Sequence, residues 1–319
     1  MEENFENVSD CLHSPKTLHA LRETEDDFKD RIKGMIAGNI IGDMLGLTQM
    51  SGPGMLLPVR PVQLKGKYQK EITGGGLYGL PAGSWTDDTS MLTALAESLL
   101  EKGCVSPENE RRHYMKWFTE GEYTPAGEAF DIGRTTREAL TTGIAPSDRE
   151  SNGNGALMRS SVITAWYINS TDKNLIDASG LSCSVTHAHP IAKFTNVIYN
   201  LLLKKLITGF EPEQAVMMLR DEFEGLMDDL KDIFLEPEVY QTTPYCVTTL
   251  ETAVWLNMES ASFEEALLKA VNIGGDADTI GAVTGALAGA IYGSGAIPGR
   301  WMRHAENVMG RYEGLKAFL

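Results

Sequence analysis

Two short stretches, far apart in the chain, each place carboxylates and hydroxyls at what reads as the start of a helix. Gly83-Ser-Trp-Thr-Asp-Asp-Thr-Ser90 offers Thr86, Asp87 and Asp88. Val271-Asn-Ile-Gly-Gly-Asp-Ala-Asp-Thr-Ile-Gly281 offers Asp276, Asp278 and Thr279. Carboxylates two residues apart do not share a helical face. Asp276 and Asp278 can converge only where a loop enters a helix, a geometry that Gly274 and Gly275 permit. One Asp is enough to cap a helix and complement its dipole. A second in the same turn adds repulsion unless a cation sits between them. Together Asp87, Asp88, Asp276, Asp278, Thr86 and Thr279 form an oxygen-only donor set, which suits Mg²⁺ or Mn²⁺ and not zinc. Two divalent cations would balance the four aspartates. Helix N-termini repel cations, so the carboxylates must supply the binding.

Other residues could serve the same chemistry. Phe130-Asp-Ile-Gly-Arg-Thr-Thr-Arg137 puts Asp131 in a glycine-containing turn, either as a helix cap or as a working carboxylate. Ser151, Asn152, Gly153, Asn154 and Gly155 offer backbone amides at a helix start, suited to a phosphate or ribose; an ordinary tight turn would use the same residues. His187-Ala-His-Pro190 is an H-x-H pair, a spacing that can bind metal, but no third His lies nearby; one imidazole could contact a ligand while the other is structural. Trp85 reads as core. Gly74-Gly-Gly-Leu-Tyr-Gly79 matches a dinucleotide fingerprint literally but lacks the strand and helix that the fingerprint requires, and reads instead as a loop bordering the site. Nucleophile and zinc-protease signatures are absent.

The elements that must hold these residues read as helices throughout. Phe28, Ile32, Met35, Ile36, Ile40, Met44 and Leu47 recur at helical spacing. Gly34, Gly38, Gly42 and Gly46 give that helix one smooth face, matched by the Ala/Gly-rich run after Asp278. Further helices are expected from Met91 to Leu100, from Pro107 to near Gly121, and over 134–142, 156–168, 173–186, 190–202, 213–230, 245–258, 262–271 and 300–319. Ser262 with Glu265 forms a capping box. No β-α-β rhythm or repeat is visible. The expectation is all-α: a polar extension over 1–24, in which Thr24 could cap the first helix, then one compact helical domain over 25–319.

Composition narrows the function classes. A 319-residue chain with 42% hydrophobic residues can bury a sizeable core. A net charge of −16 argues against nucleic acid as a partner and fits a site that collects metal ions. The four cysteines, Cys11, Cys104, Cys183 and Cys246, have no paired spacing, as expected of reduced thiols in a cytoplasmic monomer. The acidic start does not resemble a signal peptide, and no apolar run is long enough to span a membrane.

Taken together, Gly42-Asp-Met-Leu-Gly46, Trp85-Thr-Asp-Asp-Thr89, Phe130-Asp-Ile-Gly133, Gly153-Asn-Gly-Ala-Leu-Met-Arg159, Thr186-His-Ala-His-Pro190 and Gly274-Gly-Asp-Ala-Asp-Thr-Ile-Gly281 resemble the ADP-ribosylglycohydrolase family, from about Ile32 to Trp301. The resemblance implies an all-α domain of that type with a two-metal Mg²⁺ or Mn²⁺ centre. Thr86, Asp87, Asp88, Asp276, Asp278 and Thr279 match the ligand positions, and Asp131 matches a position associated with catalysis. It also implies a hydrolase that frees ADP-ribose from a protein side chain, often arginine, or from a small molecule. In one respect the chain departs from the pattern. Met50 stands where many members carry a Glu, and a thioether is neither an acid, a base nor a useful Mg²⁺ ligand. Asp131, or a carboxylate such as Glu71, must then carry the catalysis. The alternatives are a catalytically weak ADP-ribose-binding protein and an N-glycosidase acting on a nucleoside-type molecule.

Overall fold

The structure is a computed structural model that describes residues 26–50, 69–223 and 225–319. The expected extension, and the cap expected at Thr24, lie outside the described residues. The main helices are α1 (Asp26–Gly46), α2 (Asp87–Lys102), α3 (Pro107–Glu120), α4 (Arg134–Thr142), α5 (Ser161–Tyr167), α6 (Asp172–Cys183) and α7 (Pro190–Ile207). They continue as α8 (Pro212–Phe223), α9 (Cys246–Met258), α10 (Phe263–Asn272), α11 (Ala277–Tyr292), α12 (Gly299–Met309) and α13 (Glu313–Lys316). Among the described residues the only β pairings are two isolated bridges, Gly75 with Leu80 and Gly153 with Tyr245. The protein is all-α.

α1 and α11 are the central pair, and both are almost wholly buried. Their glycines meet in antiparallel order: Gly34 against Gly289, Gly38 against Gly285, Gly42 against Gly281, and Gly46 against Ala277. A methyl on Gly34 would stand 2.6 Å from the Gly289 carbonyl oxygen. Without Cβ atoms on either side, the two backbones approach as closely as in small-residue helix pairs. This contact sets the C-terminal end of α1 beside the N-terminal end of α11, where Asp276 and Asp278 lie.

Local signals explain most helix ends. α2, α3 and α4 stop at Gly103, Gly121 and Gly143, each in the left-handed conformation that glycine adopts freely. Ser262 accepts from the Glu265 amide at 3.2 Å, while the Glu265 carboxylate reaches the Ala261 amide at 3.0 Å, one residue before the expected partner.

Three expected helices differ. The one expected from Ala156 begins at Ser161. The Gly155 carbonyl accepts from the Arg159 guanidinium at 2.6 Å, so the backbone runs as tight turns up to α5. The helix expected to run from Glu213 to Leu230 ends at Phe223, and a 3₁₀ turn over Asp228–Phe234 follows. The C-terminal helix divides into α12 and α13 at the Gly310–Tyr312 turn. Among the described residues no helix is long and apolar enough to cross a membrane.

Candidate active site

Thr86 caps α2 in the expected way, its hydroxyl accepting from the Asp88 amide. A carboxylate from another helix completes this end. Asp43 of α1 accepts from the Thr86 amide at 3.0 Å, the Thr86 hydroxyl at 3.0 Å and the Thr89 amide at 3.0 Å. Those amides are among the free donors of the first turn. Asp43 therefore fixes the segment that presents Asp87 and Asp88.

The second acidic segment is set by glycines. Gly274 and Gly275 have φ of 74° and 68°, and the Asp276 amide donates to the Thr242 carbonyl at 3.2 Å. Asp276 occupies the N-cap position of α11 but makes no cap hydrogen bond. Its carboxylate accepts instead from the Asn154 side-chain amide at 2.5 Å, which also donates to the Thr249 hydroxyl at 3.0 Å. Asp278 is buried at the first turn of α11. Thr279 donates to Asp88 at 3.4 Å, which joins the two acidic helix starts.

Asp131 enters from a third direction. Its φ of 59° is left-handed, a conformation Asp tolerates better than most residues. Its carboxylate accepts from the Tyr78 hydroxyl at 2.8 Å, and the Tyr78 ring packs on Phe130 with centroids 5.0 Å apart. Tyr78 sits in the glycine-rich segment, where Gly75 and Leu80 exchange hydrogen bonds of 2.7 and 3.0 Å. That segment is a small hairpin over the acidic site, in keeping with the loop expected there.

Oxygen atoms of Asp87, Asp131 and Asp278 lie within 4.8 Å of one another. Asp88 and Asp276 flank this trio. Burial raises every one of these carboxyls, and repulsion between neighbours adds to it at Asp87, Asp88, Asp276 and Asp278. Asp43 and Asp276 are each pushed up to about 6, and Asp87, Asp88 and Asp278 well above the ordinary range. Asp131 is raised in the same direction, chiefly by burial. The Oδ1 atoms of Asp88 and Asp278 are buried and receive no hydrogen bond. Buried carboxylate oxygens without donors are costly unless something positive meets them. The residues present therefore fit a divalent cation: the donors are all hard oxygens, and among the described residues no Lys or Arg forms an ion pair with the trio.

Beside the carboxylates lies a cavity of about 420 Å³, lined by Asn152, Gly153, Asn154, Gly155, His187 and Tyr245 among others. His187 is buried, and burial with the nearby Arg159 charge holds it neutral, its pKa down to about 3. Its Nδ1 is 2.8 Å from the Thr186 hydroxyl, which accepts from Arg159 at 2.7 Å. His189 caps α7 by accepting from the Ile191 amide at 3.2 Å. One histidine thus faces the cavity and the other is structural.

The family model described as ADP-ribosylglycohydrolase matches residues 24–318. The chain belongs to the ADP-ribosylglycohydrolase family. It is 32% identical over 289 residues to the ADP-ribosylarginine hydrolase Tri1 of Serratia proteamaculans, an alignment covering 87% of this chain and 76% of that protein. It is 30% identical to the ADP-ribosyl-[dinitrogen reductase] glycohydrolase of Rhodospirillum rubrum, with 86% and 89% covered. A solved structure titled ADP-ribosylglycohydrolase-related protein complex superposes with a TM-score of 0.73 and 32% identity, covering 92% of this chain and 99% of that one.

In this ADP-ribosylglycohydrolase chain the residues singled out from the sequence fall into groups. Thr86, Asp87, Asp88, Asp131, Asp276, Asp278 and Thr279 come together. Asn154 and His187 adjoin them. Ser151 turns away, its hydroxyl donating to Asp148 at 2.7 Å. Asn152 ties its loop to α7 by accepting from the Ala192 amide at 3.2 Å. The Asn154 amide is occupied by the Pro244 carbonyl, while the amides of Gly153 and Gly155 meet no backbone acceptor among the described residues. Glu71 is not at the site: it pairs with Arg300 at 3.1 Å, and Arg300 also meets Glu264. Met50 lies half-buried in the turn that follows α1.

Asp43 and Arg159 were not singled out as site residues, although both stand in the quoted motifs. Asp43 has a signal in the sequence: it is the one charged residue between Gly34 and Gly46, a glycine-striped, largely apolar stretch, and needs buried partners. Arg159, itself buried against the Tyr114 ring at 4.6 Å, had none.

Proposed function

We propose that this protein is a divalent-metal-dependent hydrolase that releases ADP-ribose from a modified protein side chain, with arginine the favoured linkage. The carrying observation is the convergence of Asp87, Asp131 and Asp278 beside the cavity of Asn154 and His187. The arginine preference rests on the name of the Serratia relative, an ADP-ribosylarginine hydrolase; the Rhodospirillum relative is named for ADP-ribosyl-dinitrogen reductase, which supports a modified protein as substrate.

Thr86, Asp87, Asp88, Asp276, Asp278 and Thr279 would hold two cations, Mg²⁺ or Mn²⁺, with Asp131 at their edge. When bound, these ions supply Lewis acidity toward ribose hydroxyls and water. Asp131, held by the Tyr78 hydroxyl and close to Asp278, is placed to orient the ribose or accept a proton. The surrounding carboxylates stabilise positive charge as the sugar carbon passes through an oxocarbenium-like state. The Gly153 and Gly155 amides and the neutral His187 offer hydrogen bonds to the diphosphate, which a charged carboxylate there would repel. Asn154 keeps Asp276 oriented.

The test is hydrolysis of ADP-ribosylarginine and ADP-ribosylserine, read as ADP-ribose release, and of a nucleoside, read as release of its free base, each with Mg²⁺ and with Mn²⁺. Release from the arginine conjugate alone supports the reading. Turnover of the nucleoside alone would replace it with an N-glycosidase. Met50 at the position of the usual Glu favours a second reading, a weakly catalytic ADP-ribose binder. Tight ADP-ribose binding with no turnover of any conjugate would establish that instead.

A further inference from the structure

A second cavity, of about 450 Å³, opens between α12 and the turn before α2. Ala82, Gly83, Trp85, Arg303, His304, Asn307, Val308 and Arg311 line it, so it contains two guanidiniums and an imidazole but no carboxylate. This is unusual in a chain with 44 acidic and 28 basic residues. Among the described residues twelve arginines and lysines form ion pairs with acidic side chains. Yet among the described residues neither Arg303 nor Arg311 forms an ion pair.

Arg311 is held in a definite attitude. Its Nε donates to the Asn307 side-chain oxygen at 2.9 Å, and its guanidinium lies 5.8 Å from the centroid of the Trp85 ring. Both terminal nitrogens are left without a hydrogen-bond acceptor among the described residues. A guanidinium fixed through Nε presents those nitrogens as a fork, the geometry that grips a phosphate or carboxylate with two bonds. Gly83 keeps the space open. Its φ is 82°, and a Cβ there would stand 2.9 Å from His304 Nδ1.

We propose that this cavity is an anion site, separate from the acidic centre, that takes the phosphate or diphosphate group of a soluble small molecule. Arg311 supplies the fork, Arg303 a second positive charge, and His304 a ring nitrogen able to donate. The site does not require the hydrolase reading. Its overall field is unfavourable to anions because the chain carries a net charge of −16, so the local arginines must dominate and binding must weaken as salt rises.

Calorimetric titration of the full-length protein with inorganic pyrophosphate, in EDTA without divalent metal, tests the site. Removing the metal prevents pyrophosphate from binding through cations at the acidic centre. Wild type should bind in the millimolar range or tighter. Arg311→Ala and Arg303→Ala should each weaken binding by about tenfold, as loss of a charge-assisted contact does. Arg311→Lys should recover only part, because Lys keeps the charge and loses the fork. Asn154→Ala, which alters the other cavity, should leave the affinity unchanged. Circular dichroism of each variant confirms that the helices persist. No binding by wild type, or equal binding by wild type and the Arg303→Ala/Arg311→Ala double variant, overturns the proposal. So does loss of binding in Asn154→Ala with retention in the double variant, which places the anion at the first cavity.

Discussion

Gly281 of α11 faces Gly42 of α1 so closely that a methyl on Gly281 would stand 2.5 Å from the Gly42 carbonyl oxygen. Their chain neighbours carry the chemistry: Asp43 follows Gly42, and Asp278 and Thr279 precede Gly281 by one turn or less. The spacing between the two helices therefore also sets the spacing between the carboxylate that organises α2 and those that begin α11.

Gly281→Ala should accordingly affect stability and metal binding together. Overpacking of a buried site typically costs about 1–3 kcal/mol, and here the atom met is backbone, which cannot rotate away. A loss of about 3 kcal/mol in urea unfolding is expected, with weaker divalent-metal binding in the folded variant. Gly295→Ala, where the nearest atom to a new Cβ is 4.0 Å away, should be almost silent.

Buried carboxylates with donor-free oxygens should make the fold sensitive to divalent cations. Mg²⁺ or Mn²⁺ should raise the melting temperature, since a ligand at about a hundred times its Kd stabilises by about 2.7 kcal/mol. Asp276→Ala and Asp278→Asn should each remove most of that rise in differential scanning fluorimetry. Equal shifts in wild type and both variants would place the cation elsewhere.

The same carboxyls define a pH signature of the metal-free protein. Burial raises Asp43 and Asp276 from 3.8 to about 6, and Asp87, Asp88 and Asp278 beyond the ordinary range. The native state thus keeps protons that the unfolded chain has already released. Their contribution to stability is complete below the unfolded value near 3.8 and is lost as pH rises through about 6 and above. In EDTA the melting temperature should fall across that window, and saturating Mg²⁺ should flatten the fall. Glu110, raised to about 7 by burial, shifts both series alike, so the difference between them isolates the acidic site.

Much of this arrangement was legible in the sequence because each part rests on local chemistry. The four-residue glycine spacing of α1 matched the small residues of α11, and the pairing follows from backbone sterics alone. Thr86 and the acidic pairs announced themselves by residue type. The parts that were not legible depend on contacts across the chain. Nothing local says that Asp131 joins Asp87 and Asp278, because its partner Tyr78 is 53 residues away. Arg159 takes over the Gly155 carbonyl and shortens the expected helix, an outcome periodicity cannot show. Glu71 is one carboxylate among many on paper, and only its pairing with Arg300 removes it from the site.

Met50 tests how much activity the chain retains without the usual Glu. Met50→Glu should change turnover of an ADP-ribosylated peptide by about tenfold or more, within the range of a general acid–base group. Gln49→Glu, one residue earlier in the same turn, should have little effect. If Met50→Glu is silent while wild type is fully active, another group already serves in that place.

The most direct measurement concerns Asp131. It compares the rate of ADP-ribose release from ADP-ribosylarginine at saturating Mn²⁺ in wild type and Asp131→Asn, with ADP-ribose and Mn²⁺ binding followed by calorimetry on both. Asn accepts the left-handed backbone of residue 131 and keeps a hydrogen-bond acceptor for Tyr78, so the fold should persist. The expected result is release by wild type and a kcat lower by at least about a hundredfold in the variant, with KM little changed and ADP-ribose and Mn²⁺ still bound. Undiminished release by Asp131→Asn, or none by a wild type that binds both ligands, would contradict a hydrolase built around Asp131.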